Sequence, residues 1–282
     1  MYELTRPTIF KIIIYRFETA CGVPVPYWDS TVDANMKDPI KSVVWTPKFF
    51  GNGIGKVTVG PFAHFSTPAG FLFRKIGASG MLMEREVIYN IWSKRHLSQI
   101  STPTAKHNSN AEGQHNNVHA WVNGVMGNIA ISSFDPVFFC HHSMIDYVWE
   151  IFRIQQQATG INPENDLGKT KAKGHHPGDK SGIEGFYNRD GYSHRTGKSS
   201  IYRLWGQCSY CDDNKYVYCD YKRGVCVSKG VNKKPITIGQ LKAADHLAAV
   251  SGLSSGRFGA PFRPFMIDPR TRGDPVQLTV PK

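Results

Sequence analysis

Apolar and polar positions follow helical spacing in a few stretches of the chain and nothing regular between them. The clearest stretch is His142–Gln157. There Ile145, Val148, Trp149 and Phe152 recur at three- and four-residue intervals, with Asp146, Glu150 and Arg153 on the other face. That stripe predicts an amphipathic helix with one side in a core. Asn110–Asn123 reads as a second helix, Met83–Ser93 as a third, and Thr8–Thr19 as a fourth that ends near Gly22. Thr237 is placed to cap a further helix through Leu247. From about Thr31 to Gly80, Gly and Pro break any periodicity, which predicts loop with a short strand at Lys56–Gly60. Asn162–Arg195 is rich in Gly, Lys and His and reads as a long loop or linker. The tail is Pro- and Arg-rich, and no internal repeat is present.

Length and composition narrow the class. The chain has 282 residues, 40% hydrophobic and 20% charged, enough for one large domain with a buried core. No run of 18 apolar residues exists, so no membrane-spanning helix is expected. Ile9–Tyr15 is apolar but short and contains Lys11, and no cleavage site follows, so it does not read as a signal peptide. Either the protein is cytosolic or its true start lies upstream. The formal charge is +12, with denser basic stretches at Lys169–Lys180, Arg195–Arg203 and Lys229–Lys242. No helix or aromatic-interleaved strip organises these charges, so they read as a solvated surface and not as a nucleic-acid site.

Cysteines are distributed unevenly. Cys21 and Cys140 stand alone in apolar settings, where a buried thiol is expected. Cys208, Cys211, Cys219 and Cys226 crowd together and suggest two disulfides or a structural zinc. Disulfides are favoured because the second pair is spaced too widely for a zinc knuckle.

The informative region is Glu112–Asp146. His115 and His119 stand at i and i+4, on one face of a helix, so their imidazoles can converge on one ion. Then comes Asp135-Pro-Val-Phe-Phe-Cys-His141-His142-Ser-Met-Ile-Asp146. Pro136 disfavours helix at the residue before it, which predicts a turn and a second helix starting near His141. A third imidazole at the start of that helix completes a three-nitrogen site. Three imidazoles suit Zn, Cu, Fe or Ni, so spacing alone leaves the metal open.

These two segments, His115-Asn-Asn-Val-His119-Ala-Trp-Val-Asn-Gly124 and Asp135–Asp146, resemble the second-copper motif of tyrosinases, catechol oxidases and molluscan-type haemocyanins. Pro24-Val-Pro-Tyr-Trp-Asp29 is similar to the segment that follows the family's first-copper ligands, and Gly60-Pro-Phe62 matches more loosely. The resemblance covers about Phe10 to Gln157. It implies copper ligation by His115, His119 and His142, with His141 behind the ligands and Asp146 fixing the helix. It implies that Glu112 and Asn116 hold a water that deprotonates a phenol, and it places Ile129 near the entrance to the copper.

The resemblance also implies a fold and a function. The expected fold is mainly α, a four-helix-bundle type 3 copper core with long loops and a Cys-rich C-terminal extension. The expected divisions are a copper-binding domain at 1–160, a linker completing it at 161–205 and the extension at 206–282. The expected activity is oxidation of phenols or catechols to o-quinones with O2, in a secreted protein of pigment, cuticle or shell matrix. Two coppers are expected for the family, yet the chain supports one. Aligned on Arg16-Phe17-Glu18, the last first-copper ligand falls at Phe10 and the Arg after it at Lys11, and the earlier ligands would lie upstream of Met1. His64 and His96 match no ligand pattern and read as loop or surface residues. Two explanations stand: a chain truncated at its start, or a degenerate paralogue. The alternative function is a non-catalytic matrix protein of the same fold that binds acidic polymers.

Overall fold

The computed structural model describes residues 20, 22–167, 176–193, 208, 211 and 214–231. The helices expected at Thr8–Thr19 and after Thr237, and the positions of Phe10, Lys11 and Cys21, lie outside the described residues. The fold is mainly helical: α1 (Ser30–Ala34), α2 (Arg85–Trp92), α3 (Ala111–Val122) and α4 (Val137–Ala158), joined by loops and short 3-10 turns. Among the described residues, three small antiparallel pairs accompany these helices. Strand β1 (Ile54–Lys56) pairs with β4 (Phe73–Lys75), β2 (Ser66–Thr67) with β3 (Gly70–Phe71), and β5 (Val217–Asp220) with β6 (Val225–Ser228).

The three helices expected within this span are present. Asn110 starts α3 by accepting from the Gly113 N–H at 3.0 Å, an ordinary N-cap. The helix stops at Asn123, whose φ of 56° takes the chain out of helical geometry. Gly124 follows, also at positive φ. A Cβ there would collide with the Phe73 carbonyl, so only glycine lets the chain pass β4 so closely.

Helix α4 begins a full turn earlier than expected, at Val137. Pro136 does not delay the helix but opens it. Its φ of −55° is already helical, and its missing N–H is one that the helix itself would leave without a partner. Asp135 accepts from the Val137 N–H at 3.1 Å. The strand expected at Lys56–Gly60 is also displaced: pairing covers Ile54–Lys56, while Val57 and Val59 turn inward as core residues.

An aromatic core holds the long helices to the loops. Tyr27 stacks on Tyr147 of α4, Trp28 meets Trp45 edge-on, and Trp45 contacts Phe50 and Trp121 of α3. Each large aromatic ring buries enough apolar surface to contribute about 2–3 kcal/mol. The Pro-Tyr-Trp-Asp segment therefore acts as a buttress. The Trp28 N–H donates to the Cys140 carbonyl at 2.9 Å, the Trp28 indole donates to Asp33, and Asp29 caps α1. Helix α2 packs on α4, where the Trp92 indole donates to the Val148 carbonyl.

One ion pair in this core is fully buried. The Arg74 guanidinium grips Asp135 through Nε and Nη2, both at 2.7 Å, and gives a third hydrogen bond to the Phe50 carbonyl. Neither side chain has measurable exposure. Strand β4 is thereby fixed to the start of α4.

The clustered cysteines form two disulfides, Cys208–Cys219 and Cys211–Cys226, as favoured from their spacing. They staple the β5–β6 hairpin, which lies against α1: Asn35 donates to the Cys226 carbonyl and the Arg223 guanidinium donates to the Asn35 carbonyl. Cys140 is the free cysteine among the described residues, and burial pushes its thiol up to about 12. It is chemically inert.

Candidate metal centre

Helices α3 and α4 place four histidines together. His115 and His119 are one turn apart on α3, with ring centroids 4.5 Å apart. His141 and His142 lie on α4, and one ring nitrogen from each of the four falls within 4.8 Å of the others. Three of them converge through Nε2: His142 Nε2 is 3.0 Å from His119 Nε2 and 3.3 Å from His115 Nε2.

Hydrogen bonds on the far side of two rings decide which nitrogens carry protons. His119 Nδ1 lies 2.9 Å from the Met126 carbonyl. A carbonyl only accepts, so Nδ1 holds the proton and Nε2 presents its lone pair to the cluster. His115 Nδ1 is 3.1 Å from Asn116 Oδ1, which directs its Nε2 the same way. Lone pairs meeting at one point repel unless a cation stands between them.

The separations fit such a cation. Two imidazole nitrogens bound at about 2.0 Å to one tetrahedral ion lie roughly 3.3 Å apart. Burial also pushes His141 and His142 well below the ordinary histidine range, and the neighbouring imidazoles push in the same direction. Neutral rings are the form that binds metal. Phe138, one turn before His142, lays its ring 4.1 Å from that imidazole and holds it in place.

Sequence-based expectation and structure agree in bringing His115, His119 and His142 together. Glu112 is on the same helix as His115, 2% exposed, and neither carboxylate oxygen has a hydrogen-bond partner among the described residues. Asn116 touches the His115 ring. Asp146 is buried on α4, and Ile129 is 65% exposed in the turn after α3. His64 and His96 are exposed, and His96 lies 3.3 Å from Asp166.

Two features escaped the sequence reading. The carbonyl of Met126 orients His119, and no side-chain pattern signals a carbonyl. His141, expected behind the ligands, stacks on His115 at 5.1 Å with its ring nearly parallel. Its adjacency to His142 was the available clue.

Comparison with known proteins decides the family. The profile described as the common central domain of tyrosinase matches residues 9–155, which holds α1 through most of α4 and all four histidines. The chain belongs to the tyrosinase family. Tyrosinase-like protein 1 of Margaritifera margaritifera is 33% identical over 267 residues, 86% of this chain and 53% of the relative. Tyrosinase-like protein of Pinctada maxima is 31% identical over 224 residues, 70% of this chain and 48% of the relative. A tyrosinase of Streptomyces antibioticus is 31% identical over 157 residues, 45% of this chain and 53% of the relative. The chain thus spans about half the length of the tyrosinase-family relatives it matches. The tyrosinase family implies copper, and the cluster of His115, His119, His141 and His142 fits a copper site.

Proposed function

We propose that this chain is the copper-binding part of a tyrosinase-like oxidoreductase that oxidises phenols or catechols to o-quinones with O2. The supporting observation is the meeting of three imidazole Nε2 atoms, two with their lone pairs fixed by hydrogen bonds on the opposite ring edge. Copper, when bound, would supply the electron transfer that reduces O2. The protein's own groups would do the rest.

In this reading Glu112 is the proton acceptor. A buried carboxylate without a partner is costly, on the order of 1–3 kcal/mol, unless a water or substrate hydroxyl donates to it. A water between Glu112 and Asn116 would take the phenol proton. Asn116 would also keep the His115 ring oriented, since its amide oxygen already receives His115 Nδ1. Exposed Ile129 would flank the phenol's path. The two disulfides favour an oxidising compartment and so a secreted protein.

One sequence feature supports a second reading. Phe10 stands where a first-copper ligand would align, which suits a tyrosinase-fold protein that binds one copper and does not turn over. Copper content of the purified chain and O2 uptake with a monophenol and a catechol separate the two. Two coppers with quinone formation, and loss of monophenol oxidation in Glu112→Gln, support the enzyme. A single copper with no O2 uptake supports the non-catalytic reading. No copper uptake overturns both.

A further inference from the structure

Asparagine followed by glycine occurs twice in the chain, at Asn52-Gly53 and Asn123-Gly124. A glycine next in line has no Cβ to shield its amide nitrogen, so that nitrogen is open to the asparagine side chain. The two pairs are held differently. The Asn52 amide is tied at both ends: Nδ2 donates to the Ile54 and Lys56 carbonyls at 2.9 and 2.7 Å, and Oδ1 receives the Thr58 N–H at 2.9 Å. The Asn123 amide turns back on its own backbone. Its Oδ1 receives the Gly124 N–H at 2.6 Å, while Nδ2 donates to Ser79 Oγ at 3.2 Å. Cγ is one C=O bond from Oδ1, so it stands no more than about 3.8 Å from the Gly124 nitrogen. Atoms set to react are about 3–3.5 Å apart, and this N–H already points along the line that a new bond to Cγ would take.

We infer that Asn123 is a site of spontaneous backbone rearrangement, with water the only reactant consumed. The Gly124 nitrogen bonds to Asn123 Cγ, the Cγ–Nδ2 bond breaks, and Nδ2 leaves as ammonia with the proton of the Gly124 amide. The five-membered imide then takes up water at either carbonyl. Opening at one leaves aspartate at position 123. Opening at the other carries the main chain through Cβ, one methylene longer, as isoaspartate. No oxidant or reductant takes part. The longer path finds no room at the next residues: Gly124 lies directly against the Phe73 carbonyl, and the Val125 N–H donates to that carbonyl at 2.9 Å. The displacement therefore passes to Met126, whose carbonyl sets the His119 tautomer. The end of α3 is thus a slow clock on the metal site, and this last step rests on the copper reading above.

The test ages the full 282-residue chain in buffer, folded and in urea. Peptide mapping by mass spectrometry follows the amide-to-acid mass gain, and the isoaspartate, at each Asn–Gly pair. In urea the two pairs should convert at like rates. In the folded chain Asn123 should convert about tenfold faster than Asn52, because its reacting atoms are held together. Equal rates in the folded chain, or a faster Asn52, overturn the inference. No metal enters this measurement, so it stands or falls apart from the copper reading. The isoaspartate fraction, separated from unaged chain, should bind Cu(II) about tenfold more weakly in competition with a chelator, a penalty typical of lost support behind a ligand. Unchanged affinity overturns the link from the turn to the metal. Failure of the unaged chain to take up copper overturns the copper reading and leaves the rearrangement at Asn123 standing.

Discussion

His119 Nδ1 and the Met126 carbonyl, 2.9 Å apart, connect the end of α3 to the turn that follows it. That bond sets the tautomer of His119, so the backbone path after Asn123 is part of the copper site. Asn123 and Gly124, both at positive φ, bring Met126 back under the helix. Gly124→Ala should therefore weaken copper uptake as well as stability, because a Cβ there strikes the Phe73 carbonyl. Chelator competition and thermal melting, run side by side, check this. Loss of stability with unaltered affinity would separate the turn from the metal.

Phe138 offers a test of ligand positioning without touching a ligand. Its ring lies 4.1 Å from that of His142. Phe138→Ala removes the wall that holds the imidazole, and loss of such support typically costs 10–100-fold in metal affinity. Phe138→Leu, which fills most of the space, should recover part of it. The readout is the Cu(II) dissociation constant.

Arg74→Leu should be among the most destabilising single changes in the chain. It leaves the Asp135 carboxylate buried without its guanidinium, at a cost of about 3–5 kcal/mol. Arg74→Lys restores charge but not the two-pronged grip, so it should rescue only partly. Denaturant midpoints of the two variants measure the difference.

Asp33 gives a pH dependence whose sign can be worked out. Burial raises its carboxyl from 3.8 to about 6, against hydrogen bonds from Ser228, Ser42 and Trp28 that lower it. The folded protein therefore binds the Asp33 proton more tightly than the unfolded chain does. That contribution is complete below pH 3.8 and is lost as pH rises through 6. The buried histidines act in the opposite sense, since their lowered values make the fold lose stability as pH falls below the ordinary histidine range. Comparing Asp33→Asn with the unaltered protein isolates the first effect. The stability difference should shift in favour of the variant between pH 4 and pH 7 and level off above it. A difference independent of pH would show that Asp33 does not titrate there.

The disulfides are open to a direct check. Cys211–Cys226 closes a loop with a sequence separation of 15, so replacing both with Ser should cost about 3 kcal/mol. Thiol titration of the unfolded, unreduced protein should find none of these four cysteines free, and metal analysis should find no zinc held by them.

Most of the site was legible in the sequence because its signals are local. The i, i+4 spacing of His115 and His119 and the Asp-Pro before α4 depend on a few neighbouring residues. The start of α4 was misplaced for an equally local reason: Pro was read as a barrier when its ring geometry suits a first turn. The pairing of β1 with β4 and the Arg74–Asp135 contact were not legible, since each joins residues far apart and a lone arginine in a Gly-rich loop looks solvated. The carbonyl that orients His119 carries no residue-type signal. A neighbouring pair of histidines did carry one, but the second ring's place depends on how α4 is rotated against α3.

The Asp135 carboxylate has a consequence for how the molecule assembles. One of its oxygens receives both a guanidinium nitrogen of Arg74 and the amide of Val137. Winding the opening turn of α4 and landing the β4 segment are thus a shared event, completed by side chains that contain no histidine. Copper would then arrive at a surface already shaped to receive it, so apoprotein and loaded protein should share one backbone, with the ion as a late guest.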